Sequence, residues 1–235
     1  MAGGAKFEPG DGPKVQRRRN AGTAMILHDY YRSSAAYRVR IALELKGLEV
    51  EHRPVHLLRG GGEQFTPAYL AKNPQALVPT LELDDGVMLT QSLAIIEYLE
   101  SVRPTPRLIP QDPVLAARTR AVALVIACDT HPLTNLRVGG YLASELKASP
   151  DSIEAWRRFW ILEGLQAVER LIAPAPFCFS AEPTLADVCL IPQVFAARRF
   201  AAPLDHLPRI LSVEAACLEL EAFKRAHPAL QADAE

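Results

Sequence analysis

MILHDYYRSSAAYRVRIALELKG, residues 25–47, carries the decisive change of period. Its first seven residues are a short β-type run, Ser33-Ser34 interrupts it, and the stretch that follows has helical spacing closed by Gly47. A strand feeding directly into a helix is predicted. Working outward, VEHRPVHL at 50–57 alternates as a second strand, and PTLEL and VMLT flank Asp84-Asp85-Gly86, the composition of a hairpin turn. The helical pattern SLAIIEYLESV, 92–102, follows at once.

The order β-α-β, then β-β-α, predicts a thioredoxin-like domain over 25–107, a small mixed sheet with helices on both faces. RPTPRLIPQDP, 103–113, is proline-rich and reads as a linker. Beyond it, over 113–235, apolar residues recur only at helical spacing, as in IEAWRRFWILEGLQAVERLIA, so the fold class is α/β followed by an all-α domain. Thr184-Leu-Ala-Asp187 has the form of a capping box and is read as structural. Residues 1–24, rich in Gly, Pro and charge and including the run RRR at 17–19, read as a flexible tail.

Composition excludes several classes of function. At 235 residues and 49% hydrophobic the chain can bury a core, and 26 basic against 27 acidic residues give no bulk attraction for nucleic acid or an anionic membrane. No apolar run approaches the roughly 20 residues that cross a bilayer, and the N-terminal stretch has no hydrophobic centre for a secretory signal. A cytoplasmic protein with a small-molecule partner is expected. Cys128, Cys178, Cys189 and Cys217 form no C-x-x-C pair and read as reduced thiols, with Cys128, in AVALVIAC, as a buried small hydrophobe. His52 and His56 lack a nearby carboxylate cluster, so no metal is expected. Gly60-Gly61-Gly62 lacks the G-K-[ST] ending of a phosphate loop.

Three segments of the first domain carry the candidate chemistry: RSSAAYRVRIAL, NPQALVPTL and TQSLAIIEYL. Ser33 and Ser34 stand at a helix start, where a hydroxyl and free amides either cap the helix or stabilise a thiolate. No cysteine lies in this domain, so a bound cosubstrate would have to supply that sulfur. Val78-Pro79 precedes a strand; the proline is either an ordinary strand start or a cis peptide that presents Val78 to an extended peptide. Gln91-Ser92 opens a helix, with Ser92 placed to cap it and the pair suited to a carboxylate. Thiol activator, pairing edge and carboxylate clamp together match γ-glutamyl-cysteinyl-glycine, which is glutathione.

These segments, with HPLTNL and LADVCLIPQVFAARRF, resemble the zeta-class glutathione transferases, whose signature runs S-S-C-x-W-R-V-R-I-A-L. The resemblance spans both domains and the linker. It implies glutathione as cofactor, with Ser33 and Ser34 activating its sulfur and Ala35, Arg38, Gln64, Val78, Gln91 and Ser92 holding the tripeptide. It further implies a substrate pocket near His131, Asn135 and Arg199, a small dicarboxylate as substrate, and a homodimer. Ala35 replaces the signature cysteine, Tyr37 the tryptophan, and His131 a glutamine.

The activity the resemblance implies is glutathione-dependent cis-trans isomerisation of maleylacetoacetate. The same site could serve maleylpyruvate, or a transferase that displaces halide from α-haloacids and consumes glutathione. A non-catalytic module is a further reading, supported by Ala35 and opposed by the retained Ser33, Ser34, Gln91 and Ser92.

Overall fold

The computed structural model describes residues 25–235; the expected flexible tail, 1–24, lies outside the described residues. Strand β1, Ile26–Asp29, runs into a tight turn and then into helix α1, Ser34–Lys46. Gly47 ends α1 in the left-handed conformation (φ 58), and its amide bonds back to the last turn. Strands β3, Thr80–Glu82, and β4, Met88–Thr90, form the predicted hairpin, with Gly86 at φ 85. Helix α3, Ser92–Val102, follows.

The second predicted strand is shorter than its alternation suggested. Strand β2 covers only Glu51–Pro54 and is exposed along its length. It pairs with β1 in parallel at the sheet edge, where Pro54, which has no amide to donate, is tolerated. The sheet order is β2-β1-β3-β4, antiparallel from β1 onward. Between β2 and β3 lie two 3-10 turns, Arg59–Gly61 and Glu63–Phe65, and the single-turn helix α2, Pro67–Leu70.

The proline-rich connection is packed rather than loose. Leu108 is buried, its amide donates to Glu100 at 3.1 Å, and its carbonyl accepts from Leu185 at 2.8 Å. Beneath it the buried ammonium of Lys46 meets Glu100 at 2.7 Å and the carbonyls of Arg103 and Pro106.

Beyond the connection the described residues form helices α4, Pro113–Leu124; α5, His131–Thr134; α6, Leu136–Ser144; α7, Pro150–Leu171; α8, Leu185–Arg199; α9, Pro208–Leu218; and α10, Glu221–Ala226. Helix α8 is the central rod: it packs on α1 and on α4, and most of its residues are buried. Asp187 holds its start, accepting from the Thr184 amide and the Cys178 amide, each at 2.7 Å.

Helices α4 and α5 are joined by a π-turn, Val125–Thr130. The widened turn shifts the helical register, so Cys128 is exposed, against the expectation from its apolar neighbours, while Cys178, Cys189 and Cys217 are buried. No helix among the described residues is long and apolar enough to cross a membrane.

Candidate active site

The turn between β1 and α1 is held from below by Arg40. Its buried guanidinium pairs with Asp29 at 3.1 Å and donates to the carbonyls of Tyr31 (2.8 Å) and Ala226 (3.1 Å). The turn therefore presents Arg32 and Ser33 in a fixed position. Ser33 caps α1: its hydroxyl oxygen accepts from the Ala36 amide at 3.2 Å, which leaves the hydroxyl proton free to be donated elsewhere. The free amides of the first helical turn favour an anion at the same place.

Ser34 is differently placed. It is the first helical residue, is buried, and donates its hydroxyl to the Pro192 carbonyl of α8 at 3.4 Å, which joins the two parts of the chain. Ala35, in the first turn, is half-buried and brings no thiol.

Ahead of α3 the cap position belongs to Gln91 rather than Ser92. Gln91 has φ 69 and makes no capping bond; its amide group donates instead to Gln75 Oε1 at 2.6 Å. Such a backbone conformation is unfavourable for a residue with a side chain. The Ser92 hydroxyl accepts from Arg38 Nη1 at 3.3 Å. Arg38 is fully buried, its Nε and Nη2 have no partner among the described residues, and burial lowers its pKa.

Val78 forms a cis peptide with Pro79 immediately before β3, and it packs with Tyr30, Tyr31, Val55 and Tyr69. Gln64 is buried in the 3-10 turn Glu63–Phe65; its amide group donates to the Leu57 carbonyl at 3.3 Å, and its Oε1 is buried without a partner among the described residues.

From the helical region, the π-turn delivers His131 at the start of α5. Burial, and then the positive charges of Arg38 and Arg199, push the His131 pKa down to about 3. The imidazole is therefore neutral near pH 7. Asn135 caps α6, its Oδ1 accepting from the Val138 amide at 3.1 Å, so that oxygen is committed to structure.

Arg199 ends α8, where the negative end of the helix dipole favours a cation. Its guanidinium lies 4.6 Å from the Phe200 ring centre. The side chain keeps an exposed surface, yet enough protein surrounds the guanidinium to lower its pKa, and the like charges of Arg32 and Arg157 act in the same direction.

Ser92 thus meets Arg38 directly, while His131 feels the charges of Arg38 and Arg199, and Arg199 feels that of Arg32, next to Ser33. Gln64 and Val78 lie on the loops between β2 and β3. Sequence reasoning missed Arg32, Gln75 and Arg157. Arg32 carried a signal: a cation just ahead of a helix start opposes the helix dipole and calls for an anion. Gln75 and Arg157 carried none. Among the described residues no group of three or more His, Cys, Asp or Glu side chains could hold a metal ion.

Comparison with known proteins gives this geometry its context. The profile of the glutathione S-transferase N-terminal domain matches residues 27–107, and that of the C-terminal domain matches residues 151–232. The chain is 49% identical to the maleylacetoacetate isomerase of Pseudomonas aeruginosa, across 89% of this chain and 98% of the relative. It is 46% identical to the maleylpyruvate isomerase of a Ralstonia species, across 89% of this chain and 99% of that one. A crystal structure of maleylacetoacetate isomerase from Methylobacterium extorquens AM1 with bound malonate and glutathione superposes with TM-score 0.86 at 37% identity, covering 89% of this chain and 99% of the other. With both domain profiles matched and relatives of 46–49% identity covered almost end to end, the chain belongs to the zeta class of the glutathione S-transferase family.

Proposed function

We propose that the protein is a glutathione-dependent isomerase that converts maleylacetoacetate to fumarylacetoacetate. One observation carries the reading: a capping serine with a spare hydroxyl proton, Ser33, sits beside Arg32, and Arg32 and Arg199 have no carboxylate at salt-bridge distance among the described residues. The first suits a thiolate and the second a dicarboxylate.

The residues present fit glutathione. Ser33 and the α1 amides receive the sulfur, the Val78 backbone pairs with the cysteinyl unit, the unpartnered Oε1 of Gln64 takes an amide donor, and Gln91 with Ser92 holds the γ-glutamyl end. When bound, glutathione supplies the nucleophilic sulfur whose reversible addition to the cis double bond allows rotation about that bond. Ser33 donates its hydroxyl to the sulfur and keeps it ionised near neutral pH. Arg199 and Arg32 orient the substrate carboxylate and stabilise the negative charge that develops on its conjugated carbonyl oxygen. Neutral His131 offers a hydrogen bond without taking up a proton. Arg38 contributes a buried positive charge beside Ser92, at the γ-glutamyl end. With Ala35 in the first turn, no enzyme thiol stands at that position.

The same reading makes 25–107 the glutathione-binding domain and 113–235 the substrate-binding domain of a cytoplasmic homodimer. The deciding experiment follows conversion of maleylacetoacetate by purified protein with and without glutathione. Conversion that needs glutathione and does not consume it supports the proposal; no conversion under either condition removes it. A higher kcat/KM for maleylpyruvate would move the assignment to that diacid, and glutathione consumed with α-haloacids would move it to a transferase.

A further inference from the structure

Arg157, on α7, is a cation that the isomerase mechanism above does not use. Its guanidinium carbon lies 5.1 Å from the centre of the Phe200 ring, against 4.6 Å for Arg199 on the same ring. The two charges are therefore within about 10 Å of each other, near one Debye length at physiological salt, and repel. Among the described residues neither guanidinium has a carboxylate at salt-bridge distance. Arg157 has no ion pair among the described residues, its Nε is buried without a hydrogen-bond partner, and the acidic group that acts on it is Glu154, one turn back on α7. Glu154 is itself taken up by Arg158, at 3.4 Å.

The placement of Arg157 also depends on its neighbour helix. Its Nη2 occupies the space that a Cβ at Gly139 of α6 would enter, so a side chain there would displace the guanidinium. Trp156, one residue earlier, ties α7 to α5 by donating to the Leu133 carbonyl at 2.8 Å. Two helices thus hold an unneutralised, partly desolvated guanidinium beside Arg199, at a cost in stability that a simple aromatic brace would not require.

We propose that Arg157 determines specificity by receiving the distal carboxylate of a diacid whose other end is held by Arg32 and Arg199, so that the pocket selects dicarboxylates over monocarboxylates. The inference rests on the substrate pocket proposed above and deepens it. Two arginines that share one aromatic ring match two carboxylates separated by a chain, because each guanidinium can take one carboxylate bidentately.

The test measures binding, so it is independent of turnover. Glutathione-loaded protein is titrated calorimetrically with adipate, a diacid, and with hexanoate, its mono-acid counterpart. The wild type should bind adipate more tightly. Arg157→Gln should weaken adipate about tenfold or more, the scale of one charge-assisted hydrogen bond, and hexanoate less than twofold. Arg157→Lys should lie between, and Gly139→Ala, which keeps the charge but moves it, should also weaken adipate. Arg158→Gln, whose charge is spent on Glu154, should change neither. A wild type without preference for adipate, an Arg157→Gln variant that keeps it, or equal losses for both acids would overturn the assignment. A protein that shows the diacid preference but fails to isomerise maleylacetoacetate would sink the isomerase reading alone.

Discussion

Arg38 on α1 donates to the Ser92 hydroxyl on α3 at 3.3 Å while two of its three guanidinium nitrogens remain unpaired in the interior. A buried charge with one long hydrogen bond and no carboxylate opposes folding, and burial accordingly lowers its pKa. In the proposed site the charge meets Ser92, at the γ-glutamyl end, where it favours a carboxylate. Arg38→Met, close in volume, should therefore leave the unfolding midpoint unchanged or raise it. The same variant should weaken glutathione binding about tenfold, read by calorimetry. A large loss of stability with an unchanged glutathione affinity would show instead that Arg38 is a structural strut.

The two serines at the start of α1 should separate cleanly. Ser33→Ala removes both a helix cap, worth about 1 kcal/mol, and the donor to the sulfur, so turnover at neutral pH should fall on the order of a hundredfold as the bound thiol pKa rises. Ser34 spends its hydroxyl on the Pro192 carbonyl. Ser34→Ala should cost about 1 kcal/mol of stability and leave kcat within a few-fold of the wild type. Thermal unfolding and the pH dependence of kcat, measured on both variants, check the pair.

How far this site could be read from the sequence depends on what kind of contact makes it. The alternation from MILHDYY to AAYRVRIAL and the Asp-Gly turn are local signals, and β1, α1 and the β3–β4 hairpin follow them closely. The capping box at Thr184 is equally local and is present. Assignments failed where long-range geometry decides. Ser92 suited a cap by type, yet the positive φ of Gln91 moves the cap position back one residue. Cys128 sat in an apolar run, but the π-turn rotates it outward. The pairing of Arg157 with Arg199 joins α7 to the end of α8 through Phe200, and no spacing within either helix announces it.

Asp187 should be among the most sensitive structural positions. One of its carboxylate oxygens accepts from the Cys178 amide, and the other accepts from both the amide and the hydroxyl of Thr184. All of these groups are buried. Asp187→Ala leaves two interior amides without acceptors and should destabilise the fold by about 2–6 kcal/mol, given about 1–3 kcal/mol for each unsatisfied group. Asp187→Asn retains one acceptor oxygen and should lose roughly half as much. Because α8 carries Arg199 at its far end, chemical denaturation should show the loss directly. The diacid affinity of the protein that remains folded should hardly change.

His131 makes stability depend on pH in a direction that can be worked out. Burial, Arg38 and Arg199 depress its pKa in the folded protein from 6.5 to about 3. Below pH 6.5 the unfolded chain therefore binds a proton that the folded chain refuses, and stability falls as pH drops from there toward about 3. Between pH 7 and pH 5 the loss should be about 1–2 kcal/mol, the lower end allowing for the accessible part of the ring. His131→Gln removes the titrating group, so its unfolding free energy should decline less over this interval than that of the wild type. A bound diacid neutralises Arg199 but neither Arg38 nor the burial that is the larger cause, so with adipate present the wild-type pH dependence should keep most of its slope. Denaturant titrations at pH 7 and pH 5, with and without adipate, measure all four cases. Equal slopes for wild type and variant would mean that the imidazole is protonated normally and that the charge of Arg199 is directed away from it.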